Sequence, residues 1–210
     1  PGDEYAFRYT ELDMDKANSL LDGILPNKDG DGFRLMSNGN ILDIEIGIVP
    51  QFGNWPDIGQ LIVENWAEVG VKAHIEIRER TQHFNMRPAN ELMSEIWNED
   101  TTGFPFSGQP KFDPRSDPAL TFAPLIAKWY ASGGKEGQAP PAEIKRLVDI
   151  IDEAKTSGRN RQIALAKELF QIWADNVWEI GTVGMTPMIQ GVLVANDKLR
   201  NVPAVAGNDW

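Results

Sequence analysis

Hydrophobic residues along this 210-residue chain change their period several times, and each change marks an element. Asp13 and Asp15 precede Ala17, Leu20 and Leu21, with Gly23 just beyond, which predicts a short helix with acidic N-terminal and glycine C-terminal signals. Phe33-Arg34-Leu35-Met36 then leads into Asn38-Gly39, a dipeptide that tolerates the positive φ angles of a type I′ turn, and on into a long strand. In that strand Leu42, Ile44, Ile46 and Ile48 take one face while Asp43 and Glu45 take the other. Pro56 and Asp57 open a helix whose apolar residues Ile58, Leu61, Ile62, Trp66 and Val69 fall at helical spacing, and Gly70 closes it. Period two returns at once: Val71, Ala73, Ile75 and Ile77 alternate with Lys72, His74, Glu76 and Arg78. Strand, helix and strand in this order predict a βαβ unit whose strands, near 41–49 and 71–77, are adjacent and parallel.

Further along, a short helix is expected over 81–87, stopped near Pro88, and a strand over 94–97. From 98 to 118 the text turns to Gly, Pro, Asp and Ser with Phe104, Phe106 and Phe112 interspersed, a long loop by composition. Loops of such length in a compact domain are usually functional or disordered, and the aromatic residues favour the first. Three helical segments follow, over 120–130, from Pro141 through Ile151, and from Ile163 to Val177, and two β-prone stretches, 179–185 and 189–194, end the chain's ordered part. Trp129 and Trp173 fall at helical spacing with other apolar residues, which makes them core residues by default.

Charge narrows the function. Against 20 Lys+Arg stand 31 Asp+Glu, a net charge of −11, whereas a nucleic-acid binder needs a basic face to displace counterions and an anionic membrane surface attracts basic ones. The absence of cysteine excludes a disulfide framework, thiolate catalysis and Cys-ligated metal sites. No apolar run approaches the roughly 20 residues of a membrane span, so no direct insertion of this segment is expected. The start at Pro1, without a signal sequence, suits a mature segment or excised piece, so the lack of a targeting signal says nothing of where the parent protein works.

Candidate chemistry is sparse. Residues 27–32, Asn-Lys-Asp-Gly-Asp-Gly, place oxygens at alternate positions as a calcium loop does, but the twelfth position is Asn38 rather than a bidentate Glu, so a polar turn is expected and no metal. The two histidines, His74 on the polar phase of a strand and His83 in a polar helix start, belong to no ligand pair and are expected at the surface. No nucleophile elbow or phosphate loop is present, and no cofactor is implied. Glu99-Asp100 stands out among many carboxylates because it directly follows Ile96-Trp97 at a predicted strand end, the place where α/β sheets bind ligands, although the residues alone equally describe an ordinary solvated loop pair.

Several stretches, in order along nearly the whole chain, resemble the family 5 extracellular solute-binding proteins that serve peptide, nickel and related ABC importers. Residues 15–22, Asp-Lys-Ala-Asn-Ser-Leu-Leu-Asp, followed by Asp29-Gly30-Asp31-Gly32-Phe33-Arg34-Leu35 and Asn38-Gly39, are similar to the family's opening of this region. So are the helix ending Val69-Gly70-Val71-Lys72, the run 129–137 beginning Trp-Tyr-Ala-Ser-Gly-Gly, and Asn201-Val202-Pro203. The resemblance implies that the chain, 1–210, is the C-terminal lobe of a longer binder, an α/β lobe with a mixed sheet and packed helices, domain III-like, in a two-lobed periplasmic-binding-protein type II fold. N-terminal domains and the C-terminal tail would be absent from it. It also implies capture of a small solute by hinge closure, delivery to permease subunits in the membrane, no covalent chemistry, and a periplasmic or extracellular site of action.

In the family's peptide binders an acidic loop residue pairs with the ligand's ammonium and a nearby Trp lines the pocket. The matching positions are Trp97, Glu99 and Asp100, although the wording of the loop after Trp97 departs from that of the peptide binders. A peptide is therefore the leading ligand class, with oligosaccharides and metal chelates open. Two other classes remain from the residues alone: a hydrolase using two carboxylates across one cleft, such as a glycosidase, and a structural interaction domain with a flat apolar patch.

Overall fold

The computed structural model describes residues 5, 8–98, 105–106 and 110–181. Among them, six α-helices and three strands alternate in the order α1 (Met14–Ile24), β1 (Asp43–Ile48), α2 (Trp55–Glu68), β2 (Lys72–Ile77), α3 (Arg80–Ala89), β3 (Ser94–Glu95), α4 (Pro124–Ala131), α5 (Ala142–Thr156) and α6 (Arg159–Asn176). β1 lies between β2 and β3, and both pairings are parallel. Ile46 pairs with Ile75 and Ile48 with Ile77, so α2 is the crossover of a βαβ unit, as the change of period predicts.

The alternation within each strand decides what each sheet face meets. Ile46, Ile48 and Ala73 are buried on one face, where Trp55, Ile62, Val63 and Trp66 of α2 pack with Ile96. Close approach depends on Gly59, since a β-carbon there would lie 2.6 Å from Ile48 Cδ1 and 2.8 Å from Ile75 Cγ2. The intervening residues, among them Glu45, Gly47 and Glu95, point to the opposite face, and α3 comes over it at Gly47. A second core is helical. Ile144, Leu147, Ile150, Ile151 and Ala154 of α5 meet Leu165 and Leu169 of α6 around Phe112 and Ile126. Each fully buried leucine here contributes about 1.5–3 kcal/mol relative to its exposed state.

Several expectations need correction. Gly23 lies inside α1, which Asp13 caps by accepting from Lys16 N–H and which ends where Leu25 N–H reaches the Leu21 carbonyl. The turn at Asn38-Gly39 is not type I′: Gly39 alone takes a positive φ, +83°, with its N–H bonded to the Met36 carbonyl. Its arms meet only at the isolated antiparallel bridge of Leu35 with Ile41, because the strand proper begins at Asp43. α3 runs through Pro88 to Ala89 before Asn90 ends it in a left-handed conformation, so the helix stops just after the proline rather than before it. Phe112 from the aromatic loop is a core residue, set edge-on to Phe170 and Trp173, and Phe106 packs on the same cluster. These two rings serve the helical core, while Phe104 lies outside the described residues. Trp173 packs there as expected. Residues 179–181 form no strand, and the rest of both C-terminal β-prone stretches lies outside the described residues.

Candidate functional site

The three parallel strands end on one edge of the sheet, and the chain after each brings an aromatic or charged residue to it. β1 leads through Pro50–Phe52 to α2, which opens with Trp55. β2 leads into α3, whose first turn is capped by Glu79: its carboxylate accepts from the N–H groups of Thr81 at 2.8 Å and Gln82 at 3.2 Å, and these bonds hold it below the usual carboxylate range. His83, Phe84 and Arg87 share one face of this helix by their spacing. Glu95 on β3 and Trp97 just past it lie on one side of the strand by period two.

These residues form one cluster. The Trp97 ring meets Phe84 edge-on at 5.2 Å between centroids and Trp55 at 5.3 Å, and stacks on His83 at 6.5 Å with 14° between planes. The Arg87 guanidinium carbon sits 4.6 Å from the Trp97 ring and 4.4 Å from the Phe84 ring, within range of a cation–π attraction. Arg87 also donates from Nε and Nη2 to Glu95 Oε2 at 3.0 and 2.8 Å, and His83 Nε2 lies 2.5 Å from the same oxygen. An ionised carboxylate accepts, so the His83 proton belongs on Nε2, leaving Nδ1 as a buried acceptor without a hydrogen bond among the described residues.

His83 corrects the expectation of a surface residue: its exposure is 0%. The reason is Gly47, where a side chain would come within 3.0 Å of His83 Cε1 and whose absence admits the ring against the strand. His74, by contrast, is half exposed and bonded to Asp43. On the same polar face Arg78 pairs with Glu45 at 2.9 Å and holds that carboxyl below its ordinary range. Of the three expected site residues, Trp97 stands at the centre of the cluster, while Glu99 and Asp100 lie outside the described residues. Trp55, His83, Phe84, Arg87 and Glu95 are additions to the sequence-based set. The spacings 83, 84, 87 and 95, 97 were the available signal.

Elsewhere, Asp29 Oδ1 accepts from the N–H groups of Asp31 and Phe33, so the calcium-like stretch uses this carboxylate to organise its own turn. A cleft of about 380 Å³ lies beside α1, lined by Tyr9, Asp13, Lys16 and Leu20 among others and by no residue of the strand ends. No described group of three or more His, Cys, Asp or Glu could hold a metal, and no described helix is long and apolar enough to cross a membrane.

No family profile matches the sequence, and no curated protein matches it. Solved structures do. The chain is similar to an oligopeptide-binding protein, OppA, with a TM-score of 0.73 and 27% identity, over 85% of this chain and 30% of that one. It also matches the periplasmic binding protein MelB of Agrobacterium fabrum C58, solved with stachyose, with a TM-score of 0.65 and 16% identity, over 81% of this chain and 25% of that one. For the oligopeptide-binding protein AppA of Bacillus subtilis, solved with a nonapeptide, the TM-score is 0.57 and the identity 16%, over 80% of this chain and 31% of that one. The chain thus spans between 25% and 31% of the length of these neighbours, all of them binding proteins. Its structural neighbours are the peptide/nickel-type family 5 solute-binding proteins, and it carries the α/β fold of one portion of them.

Proposed function

We propose that this chain is the C-terminal lobe of a longer, two-lobed solute-binding protein, and that it supplies one wall of the site in which a small solute, most readily a peptide, is captured for an ABC importer. The observation that carries this is the aromatic wall of Trp97, Trp55 and Phe84 at the C-terminal ends of parallel strands, the position at which open α/β sheets bind ligands. Rigid aromatic surface gives apolar contact, and the carboxylates that follow Trp97, Glu99 and Asp100, offer the charge a peptide ammonium requires. An ammonium buried without such a partner would be costly, whereas a charge-assisted bond offsets its desolvation. The likeness to an oligopeptide-binding protein at 27% identity supports the same ligand class.

In this reading the second lobe and the hinge belong to chain outside these 210 residues, the partner is a membrane permease pair, and the protein works outside the cytoplasmic membrane, with any anchor in its N-terminal part. The site binds and releases without covalent chemistry. Native mass spectrometry of the longer protein, purified without refolding, tests it. A bound or added peptide is the expected adduct. A saccharide adduct alone would replace the ligand class, and a protein that takes up neither would overturn the binding role.

A further inference from the structure

We infer that Glu95, with His83 and Arg87, is a positioning group that fixes the Trp97 indole in the solute site, an inference that rests on the binding role just proposed for Trp97. The need for such a group lies in the strand. Among the described residues β3 pairs with β1 over Ser94–Glu95, and a further bond runs from Ile96 N–H to the Gly47 carbonyl at 3.1 Å. Trp97 stands next in the chain. An aromatic side chain at the end of a short strand pairing keeps its rotamer through the neighbours that hold it, and binding to an unfixed wall costs the entropy of fixing it.

One carboxylate oxygen ties two of these neighbours together. Glu95 Oε2 is bonded by His83 Nε2 at 2.5 Å and by Arg87 Nε and Nη2 at 3.0 and 2.8 Å, and these two donors are themselves neighbours of the indole. His83 is stacked on it; the Arg87 guanidinium lies 4.6 Å from its centre. The clamp is rooted in the interior, because His83 is fully buried against Gly47, and it reaches outward, because Arg87 also braces Phe84 and donates to the Ala119 carbonyl at 3.4 Å. Glu95 and its donors thus determine where the wall stands without having to touch the solute.

The test is fluorine NMR of the 210-residue chain labelled with 5-fluorotryptophan, its seven tryptophans giving separate resonances and Trp97 assigned by Trp97→Phe. In Glu95→Ala the Trp97 resonance is expected to shift and broaden while those of Trp129 and Trp173 stay in place; Glu95→Gln, which keeps an oxygen for the same donors, restores it. Arg87→Met, which keeps the stem over the rings but removes the donors, gives the same Trp97 signature and serves if Glu95→Ala does not fold. In the longer protein, Glu95→Ala weakens peptide binding about tenfold, as expected of an anchor that must be ordered on binding, and Glu95→Gln weakens it less. An unchanged Trp97 resonance in the folded variants overturns the inference, as does a change shared equally by all seven tryptophans. Because the resonance needs no solute, a longer protein that binds no peptide would sink the proposed function and leave the clamp standing, whereas intact binding with an indifferent Trp97 would sink the clamp alone.

Discussion

Arg34 Nε donates to the Val69 carbonyl at 2.8 Å across 35 residues of chain, and this bond ties the turn region after α1 to the end of α2. The side chain has 0% exposure, and its remaining nitrogens are equally engaged: Nη1 with Asp22 at 2.7 Å and the Leu25 carbonyl at 2.8 Å, Nη2 with Asn18 at 2.9 Å. Arg34→Met would leave the buried Val69 carbonyl without its donor, at about 1 kcal/mol or more, and the half-buried Leu25 carbonyl and Asn18 side-chain oxygen without theirs at a smaller cost. Asp22, more than half exposed, rehydrates. A net loss of about 2 kcal/mol is expected, seen in thermal denaturation as a melting point lower by roughly 6 °C for a chain of this size. Arg34→Lys, able to keep the Asp22 pair but not the fork, should recover only part of it.

α6 ends on a β-branched residue in a backbone region that suits glycine. Val177 has φ 49° and ψ 46°, its N–H bonded to the Trp173 carbonyl, and it is 44% exposed, so little packing is gained for the strain. Val177→Gly should stabilise the chain by about 1 kcal/mol, since left-handed backbone costs a side chain of this kind about that much. A melting point that is unchanged or lower would mean the helix does not end this way.

What the sequence made legible was whatever repeats. Ile44, Ile46 and Ile48 against Ala73 and Ile75, with Ile58 and Ile62 at helical spacing between them, specify the βαβ unit because a period is visible within one element. Trp97 was singled out differently, through the resemblance to the family's peptide binders, and its part in solute binding is a proposal. The clamp behind it was not legible: Glu95 looks like any solvated carboxylate on β3 and His83 like any polar residue on α3, and only the fold brings them to 2.5 Å. Arg34 was hidden in the same way. Its buried state depends on carbonyls at helix ends that no pattern announces. Phe112 misled in the opposite direction, since aromatic residues in a Gly- and Pro-rich stretch signal function only when a core does not take them.

Acid should loosen the contact between the loop before α4 and α5. Arg115 bonds Asp113 at 2.9 Å and Asp152 at 2.8 Å, and Lys155 adds a second cation to Asp152. Hydrogen bonding to Arg115, then to Lys155, holds the Asp152 carboxyl at about 2, below its unfolded value of about 4. A carboxyl depressed in the folded state contributes stability that is complete above about pH 4 and lost as the pH falls through about 2. Asp152 is half exposed, so after screening the contribution is about 1 kcal/mol or less. In urea denaturation Asp152→Asn should be less stable than the unsubstituted chain by that amount at pH 6, and the gap should close near pH 2. A gap that persists at pH 2 would contradict the ion-pair origin.

The central claim is that Trp97 belongs to a solute site completed by chain outside these 210 residues, and peptide-dependent melting tests it most directly. The longer protein, its Trp97→Ala variant and the 210-residue chain are melted against one peptide library at the same concentrations. In the site as proposed, closed over a peptide, a carboxylate such as Asp100 would meet the ammonium with solvent excluded; in the open lobe the same pair would be an exposed salt bridge of about 1 kcal/mol at best, too little to offset the lost freedom of the ligand. The account predicts a saturable shift for the longer protein, a shift needing at least about tenfold more peptide for Trp97→Ala, in line with the loss of a buried aromatic anchor, and none for the 210-residue chain. Equal shifts for the 210-residue chain and the longer protein at equal concentrations would contradict it and point to a self-contained site.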